Sequence, residues 1–224
     1  MLTVAERLMQ ELVAADVRQF YGVQGGACAH MIQAAALGEG SAYIPVLNEQ
    51  AAGLYAHGAY KATGHIAGAI VTTGPGFFNL VTGIAACYYD RVPFVVLCGQ
   101  INAQGNLAQA FGTRMFGFQE AEHAAVASHI SEHTVRVTDG ASLSRALSLI
   151  RSIRQHSGPL FIEVQDDLQR QDADTVLGGF QSVPQAPNAL LCSGTDVAAL
   201  SAAWQAAQRP VVLVGAGVDA QTMQ

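Results

Sequence analysis

The feature that most constrains the fold is a repeated pairing: a short, nearly continuous apolar run, then a stretch of helical periodicity. Phe20-Tyr21-Gly22-Val23 ends in Gln24-Gly25-Gly26 and leads to a helix predicted over 28–37. The run 42–47 passes without a Gly or Pro spacer into a helix over 48–63. The run 67–72 ends in Thr73-Gly74-Pro75-Gly76 and precedes a helix over 79–89, and the run 93–98 ends in Gly99-Gln100. Strands without polar alternation are buried on both faces, and strands that alternate with helices form parallel sheets. The predicted fold class is α/β, a parallel sheet covered by helices on both faces.

The flanking segments fit that scheme. Thr3 followed by Glu6 is a capping box, and Val4, Leu8, Leu12 and Val13 recur at helical spacing behind it. Further on, the patterns predict a helix over 119–128, a strand over 134–137, a helix over 142–155 and a last strand over 159–164. From Gln165 the periodic apolar residues thin out and Pro184 and Pro187 appear, which reads as a linker. The expected organisation is a first domain over 1–170, a linker over 171–195 and the beginning of a second α/β domain over 196–224. That last part, a helix over 197–207 and a strand over 211–214, is incomplete as it stands, because a lone strand makes no sheet.

Composition excludes several functions. Of 224 residues, 50% are hydrophobic and 12% are charged, the net charge is −6, and Lys61 is the single lysine. Nucleic-acid binding needs clustered basic residues, and none occur, so no nucleic-acid partner is expected. No uninterrupted apolar stretch is long enough to predict a membrane span. Cys28, Cys87, Cys98 and Cys192 show no CxxC spacing, which suits reduced thiols in a cytoplasmic protein. Glu6 and Arg7 near the start argue against a signal peptide.

Open parallel sheets bind ligands beyond the carboxyl ends of their strands. Those ends are Gln24-Gly25-Gly26, Asn48-Glu49, Thr73-Gly74-Pro75-Gly76 and Gly99-Gln100, and Glu49 is the only acid among them. Two readings of Glu49 stand side by side. It is a first-turn helix acid behind an Asn48 N-cap, or it is a carboxyl in an apolar crevice suited to sharing a proton. Other motifs are weaker. Gly215 to Ala220 matches GxGxxA but has no room for the helix and strand a dinucleotide site needs. Glu163, Asp166, Asp167, Asp172 and Asp174 read as solvated surface, and His57 and His65 as ordinary packed or surface residues. No metal-ligand spacing and no GxSxG elbow is present.

In order along the chain, several segments resemble the thiamine diphosphate enzymes of the acetolactate synthase and 2-oxo-acid decarboxylase superfamily. Asn48-Glu49-Gln50-Ala51-Ala52 through Ala59-Tyr60-Lys61-Ala62-Thr63-Gly64 resembles the family's catalytic-glutamate segment. Thr73-Gly74-Pro75-Gly76 with Asn79-Leu80-Val81-Thr82-Gly83 resembles its signature turn and helix, and Asp90-Arg91-Val92-Pro93 to Gly99-Gln100 the following strand. Phe118-Gln119-Glu120 is similar to a motif typical of acetolactate synthases. Gly158-Pro159 to Glu163, then Asp167-Leu168-Gln169, resembles the domain's end, and Arg209-Pro210-Val211-Val212 to Gly217 the start of a central domain.

The resemblance implies a pyrimidine-binding domain. In such enzymes the glutamate hydrogen-bonds N1′ of the cofactor's aminopyrimidine, and the thiazolium serves as electron sink for decarboxylating a 2-oxo acid. Glu49 would take the catalytic role; Gln24, Gly25, Gly26, Thr73, Gly74 and Asn79 would approach the thiamine diphosphate; Phe118 and Gln119 would line the substrate side. Departures are Asn48, where His is common, and Gln24, where Pro is usual. The family holds the diphosphate through Mg²⁺ on a Gly-Asp-Gly segment with a following Asn, and no Gly-Asp-Gly exists here, so no metal ligand is assigned. The implied protein is one subunit or segment of an oligomeric enzyme whose diphosphate-binding domain lies on another polypeptide or segment. Some relatives carry FAD in the central domain, and the short piece of it here assigns none. The competing reading is a non-catalytic regulatory or scaffolding subunit.

Overall fold

A computed structural model describes residues 1–180, 194–215 and 218. The chain forms two compact units, Met1–Gln185 and Ala186–Gln224. The first carries six parallel strands: β1 (Gln19–Gly22), β2 (Ala42–Pro45), β3 (Gly68–Val71), β4 (Phe94–Gln100), β5 (His133–Val137) and β6 (Pro159–Gln165). Their order across the sheet is β2-β1-β3-β4-β6-β5. Among the described residues of this unit the α-helices are α1 (Val4–Ala14), α2 (Ala29–Leu37), α3 (Glu49–Thr63), α4 (Pro75–Tyr89), α5 (Ala108–Phe111), α6 (His123–Ala127), α7 (Gly140–Arg151), α8 (Asp166–Gln169) and α9 (Ala173–Leu177); the second unit carries α10 (Gly194–Ala206).

The double-sided sheet predicted from the apolar runs is present, and its two cores divide by strand alternation. Ile70, Val95, Leu97, Leu160, Ile162 and Val164 point to the layer that holds Leu8 and Leu12 of α1, Met31 of α2 and Leu143 of α7. Ala69, Val71, Phe94, Val96, Cys98 and Phe161 point the other way, to Ala52 of α3 and Phe77, Leu80 and Ile84 of α4. Every residue of β4 is buried, so alternation there separates two apolar layers rather than core from solvent. The chain runs from β1 outward to β2, then returns past β1 to β3. The order in which strands are added therefore reverses between β1 and β3, and the carboxyl ends of those strands border the crevice such reversals create.

Helices α3 and α4 approach closely because each presents glycine at the crossing. A Cβ on Gly53 would lie 2.6 Å from the Gly83 Cα, and a Cβ on Gly83 equally close to the Gly53 Cα. The low charge of the 48–63 stretch has this packing as one cause: its buried residues Ala52, Gly53 and Ala56 are small enough for helix contact.

Several boundaries differ from those the patterns predict. Helix α4 begins at Pro75 rather than near residue 79, with proline in the first turn, where its missing N–H costs nothing. The helix expected over 119–128 shrinks to α6, since Gln119 has φ 58°, outside the helical region. Strand β2 is a largely exposed edge ending at Pro45, so Leu47, expected inside the strand, is fully exposed. Of the residues given to a linker, Ala173–Leu177 form α9, capped by Asp172, with Ala173 buried in the first core. Val211–Val214 form no strand among the described residues. Cys192, Pro184, Pro187 and most of the Gly215–Ala220 motif lie outside the described residues.

Candidate active site

Helix α3 starts as its sequence suggests. Asn48 sits extended at the N-cap (φ −156°, ψ 143°) and its side chain accepts the Gln50 N–H at 2.8 Å. Capping thus falls to Asn48, and Glu49 turns inward, 8% exposed. Its Oε2 accepts a hydrogen bond from the Asn79 amide at 3.0 Å, while Oε1 takes none among the described residues. Nearby, the Tyr43 hydroxyl is buried without a hydrogen-bond partner among the described residues. Burial first, and then the Cys28 and Glu49 charges, push its pKa up to about 12.

The glycine turns converge on this carboxylate. A Cβ on Gly76 would lie 2.7 Å from the Thr72 Cγ2 and 3.3 Å from the Glu49 Oε1. A Cβ on Gly25 would strike Thr72 from the other side, at 2.4 Å. Thr72 at the end of β3 therefore stands between the two turns, and only glycine lets both come so near. Beside Gly25, a cavity of about 470 Å³ is lined by Gln24, Gly25, Gly26, Ala29, Ile32 and Gln33. A Cβ on Gly26 would meet nothing, so that backbone borders open space.

On the far side of the same turns lies a buried polar hub. His123 of α6 is 0% exposed, and its Nε2 accepts the Gly74 N–H at 2.9 Å. That bond leaves the ring proton on Nδ1, which donates to Glu163 Oε2 at 2.9 Å. Glu163 Oε1 accepts from Arg136 Nε at 2.6 Å, and Arg136 also donates to Glu122 at 2.8 Å. The Gln100 amide donates to the Ala121 carbonyl at 2.9 Å. Thr73 Oγ1 lies 3.0 Å from both the Gln100 Oε1 and the Gln119 carbonyl, each of which can accept its one proton. The Cys98 thiol lies close enough that Cys98, His123 and Glu163 place potential donor atoms within 4.8 Å of one another. Their lone pairs and protons are already committed: a cation there would displace the Glu163–His123 bond and face the Arg136 guanidinium.

The structure thus gathers Glu49, Asn79, Gly25 and Gly76 at one crevice, and joins Thr73, Gly74 and Gln119 through the hub. Gln24 and Gly26 line the adjoining cavity. Phe118 is 78% exposed. Glu120 holds the loop before it in place: its carboxylate accepts the N–H groups of Ala108, Phe116 and Gly117 at 2.8 to 3.2 Å. Burial pushes that carboxyl up, and the three N–H groups outweigh it, holding its pKa below the ordinary carboxylate value.

One expectation is corrected. Glu163 is not solvated surface; it is fully buried. An acid inside the apolar run 159–164 had to find partners, and that was the available signal. Its supposed companions Asp166, Asp167 and Asp172 are partly exposed: Asp166 pairs with Arg170, Asp172 caps α9, and Asp167 accepts from the Ala103 N–H. His57 is half-buried and bonded to Asp90 at 2.9 Å. His123 and Arg136 carried no mark in the sequence, because nothing in their spacing shows that β5 and α6 meet at β6.

Comparison with known proteins agrees with this architecture. A family model described as thiamine pyrophosphate enzyme, N-terminal TPP binding domain, matches residues 2–123. The acetolactate synthase isozyme 3 large subunit of Escherichia coli (strain K12) is 33% identical over 75% of this chain and 28% of its own length. The acetolactate synthase large subunit of Lactococcus lactis subsp. lactis (strain IL1403) is 26% identical over 96% of this chain and 36% of its own. That of Parasynechococcus marenigrum (strain WH8102) is 30% identical over 95% and 34%. The chain spans about a third of the length of these curated relatives. A match over more than half of its residues, on a sheet with this crevice, shows that the chain belongs to the thiamine pyrophosphate enzymes, through their N-terminal TPP-binding domain.

Proposed function

We propose that this chain supplies the pyrimidine-binding half of a thiamine diphosphate-dependent, acetolactate synthase-like enzyme that decarboxylates a 2-oxo acid and joins the product to an acceptor. The observation that carries the proposal is the state of Glu49: a buried carboxylate with one oxygen held by Asn79 and the other without a hydrogen-bond partner among the described residues. A carboxyl left so in apolar surroundings suits a proton shared with a ring nitrogen, where low polarity strengthens the bond. The residues present fit an aminopyrimidine. They offer a carboxyl, close-packed glycine turns, and a cavity bordered by Gly26 backbone and the Gln24 and Gln33 side chains.

The bound cofactor would supply the electron sink for decarboxylation. Glu49 would hold a proton at Oε1, Asn79 would fix the carboxyl plane through Oε2, and the Gly25–Thr72–Gly76 contact would keep water from the carboxylate. Gln119, tied to Thr73 through its carbonyl, would stand with Phe118 on the substrate side. This chain carries no Gly-Asp-Gly segment, so the diphosphate and its Mg²⁺ are assigned to another polypeptide or segment, in an oligomer. A cytoplasmic setting fits the buried, unpaired thiols of Cys28, Cys87 and Cys98; among the described residues no helix is long and apolar enough to cross a membrane.

The test is Glu49→Gln in the protein assembled with its diphosphate-binding portion. Thiamine diphosphate-dependent turnover of 2-oxo acids should fall about 100-fold or more while assembly persists. Wild-type turnover from that variant sinks the catalytic assignment. An assembly that turns over 2-oxo acids no faster with this chain than without it makes the chain a regulatory or scaffolding subunit.

A further inference from the structure

We infer that His123 is a positioning residue that sets the Glu49 carboxylate at a distance, through the backbone of the Gly74 turn. The inference rests on the proposed role of Glu49 for its functional meaning, but its structural content stands alone.

The chain of contacts is continuous. Glu163 Oε2 accepts the His123 Nδ1–H at 2.9 Å, which leaves Nε2 a bare lone pair. That lone pair accepts the Gly74 N–H at 2.9 Å. Gly74 has φ 63° and is the residue from which α4 departs. A Cβ on it would lie 2.8 Å from the Gln119 Cβ, so the turn is wedged and cannot be rebuilt with another residue. Two residues on, Gly76 faces the Glu49 Oε1; five residues on, Asn79 bonds Oε2. Gly76 and Asn79 therefore both ride on the first turns of α4, and the His123–Gly74 bond fixes where those turns begin. The adjacent Thr73 hydroxyl, within bonding reach of the Gln119 carbonyl, places the proposed substrate side on the same support.

The imidazole is suited to this for a definite reason. The Gly74 N–H is an orphan at a helix start, buried against His123, and needs an acceptor that is itself held in place. A neutral histidine with its tautomer locked by a buried carboxylate is such an acceptor. The ring is held further by edge contact with Phe77, centroids 4.9 Å apart. Glu163 is held by Arg136, whose guanidinium is also bonded to Glu122, so the support ends in a paired charge.

Two variants separate positioning from mere packing. In H123Q the side-chain oxygen reaches the place of Nε2 and can still accept the Gly74 N–H. In H123N the amide reaches the place of Nδ1, keeps the donor to Glu163, and abandons Gly74. Both lose the ring contact with Phe77. In the assembled holoenzyme we expect H123N to lower kcat about 10- to 100-fold, with the KM for the 2-oxo acid changed less than about threefold. H123Q should stay within about threefold of wild type in both. In the chain itself, hydrogen exchange at the Gly74 amide should quicken at least about tenfold in H123N and little in H123Q. Equal losses in the two variants, or wild-type kcat and Gly74 protection in H123N, overturn the inference. Should H123N not fold, nitrogen NMR of the wild-type imidazole decides: a proton found on Nε2 rules the acceptor role out, and a bare Nε2 coupled to the Gly74 amide supports it. If the wild-type assembly shows no cofactor-dependent turnover, the proposed function fails, while the exchange and NMR results still decide the positioning role.

Discussion

Glu49 and Glu163 are both buried carboxylates at the carboxyl end of the same sheet, and they are treated in opposite ways. Glu163 spends its oxygens on Arg136 and His123 and lies within 3.5 Å of the Gln100 amide. Glu49 receives one neutral hydrogen bond and keeps an oxygen open among the described residues. A buried charge with a full set of partners is a structural device; a buried acid left partly unpartnered costs stability and persists where chemistry uses it. The difference in partners, not in burial, tells the two acids apart.

The comparison breaks most visibly at Glu163. Glu163→Ala strands the Arg136 guanidinium and leaves the His123 Nδ1–H without its acceptor. Removing one partner from a buried charge cluster costs about 3–5 kcal/mol, and because the Arg136 side chain is 30% exposed the lower end of that range is expected. A urea titration measures it; a loss under about 1 kcal/mol shows that the hub is not a structural support.

A second variant leaves both acids intact and moves one relative to its partner. Gly83→Ala places a methyl where the Gly53 backbone lies 2.6 Å away. Overpacking of that kind costs about 1–3 kcal/mol and must push α4 from α3. Asn79 lies one turn before Gly83 on α4, so its bond to Glu49 should lengthen, while the Glu163 cluster on β6 stays as it is. A crystal structure of the variant with an unchanged Asn79–Glu49 distance sinks this coupling.

The sheet was legible because its first four strands lie in short apolar runs that alternate with helical periodicity, and Glu49 was legible because it is the lone acid among the first four strand ends, three of them glycine-rich. Its inward turn was not, since an N-cap followed by an acid looks the same whether the acid faces water or core. The hub was illegible for another reason: Gln100, His123, Arg136 and Glu163 come from four elements, β4, α6, β5 and β6, and Thr73 from the turn after β3, and only the strand order β3-β4-β6-β5 brings them together. The helix expected over 119–128 starts late and stays short, as α6, because of the positive φ of Gln119, which a non-glycine residue does not announce.

His156, at the amino end of the sheet, sharpens the comparison as a group that, like Glu49, has one polar atom bonded, Nε2 to the Ser152 hydroxyl at 3.1 Å. Its Nδ1 is buried with no partner among the described residues. Burial first, and the neighbouring His133, lower its pKa to about 4. Above the unfolded value of 6.5 both states are neutral and stability is at its full level. As pH falls from 6.5 toward 4, the unfolded chain binds a proton that the folded ring refuses, so stability drops; below 4 both are charged and this loss ends. With solvent reaching the half-buried ring, about 1–2 kcal/mol is expected. His156→Gln should flatten the unfolding free energy over that window, and an unchanged slope assigns the acid loss elsewhere.

The smallest stability change belongs to the residue on which most function is placed. Glu49→Gln keeps the shape and keeps a side-chain oxygen for the Asn79 amide. It replaces a carboxyl that has one hydrogen bond with an amide that needs no charge solvated. The folding free energy should move by less than about 1 kcal/mol, and toward greater stability if it moves at all. Thermal unfolding of the two proteins side by side measures this. A loss of 3 kcal/mol or so would mean that Glu49, like Glu163, is held by partners as a structural charge, and the distinction between the two carboxylates would collapse. A neutral or stabilising change, set against the expected loss of turnover, would locate the value of the carboxyl in its open oxygen.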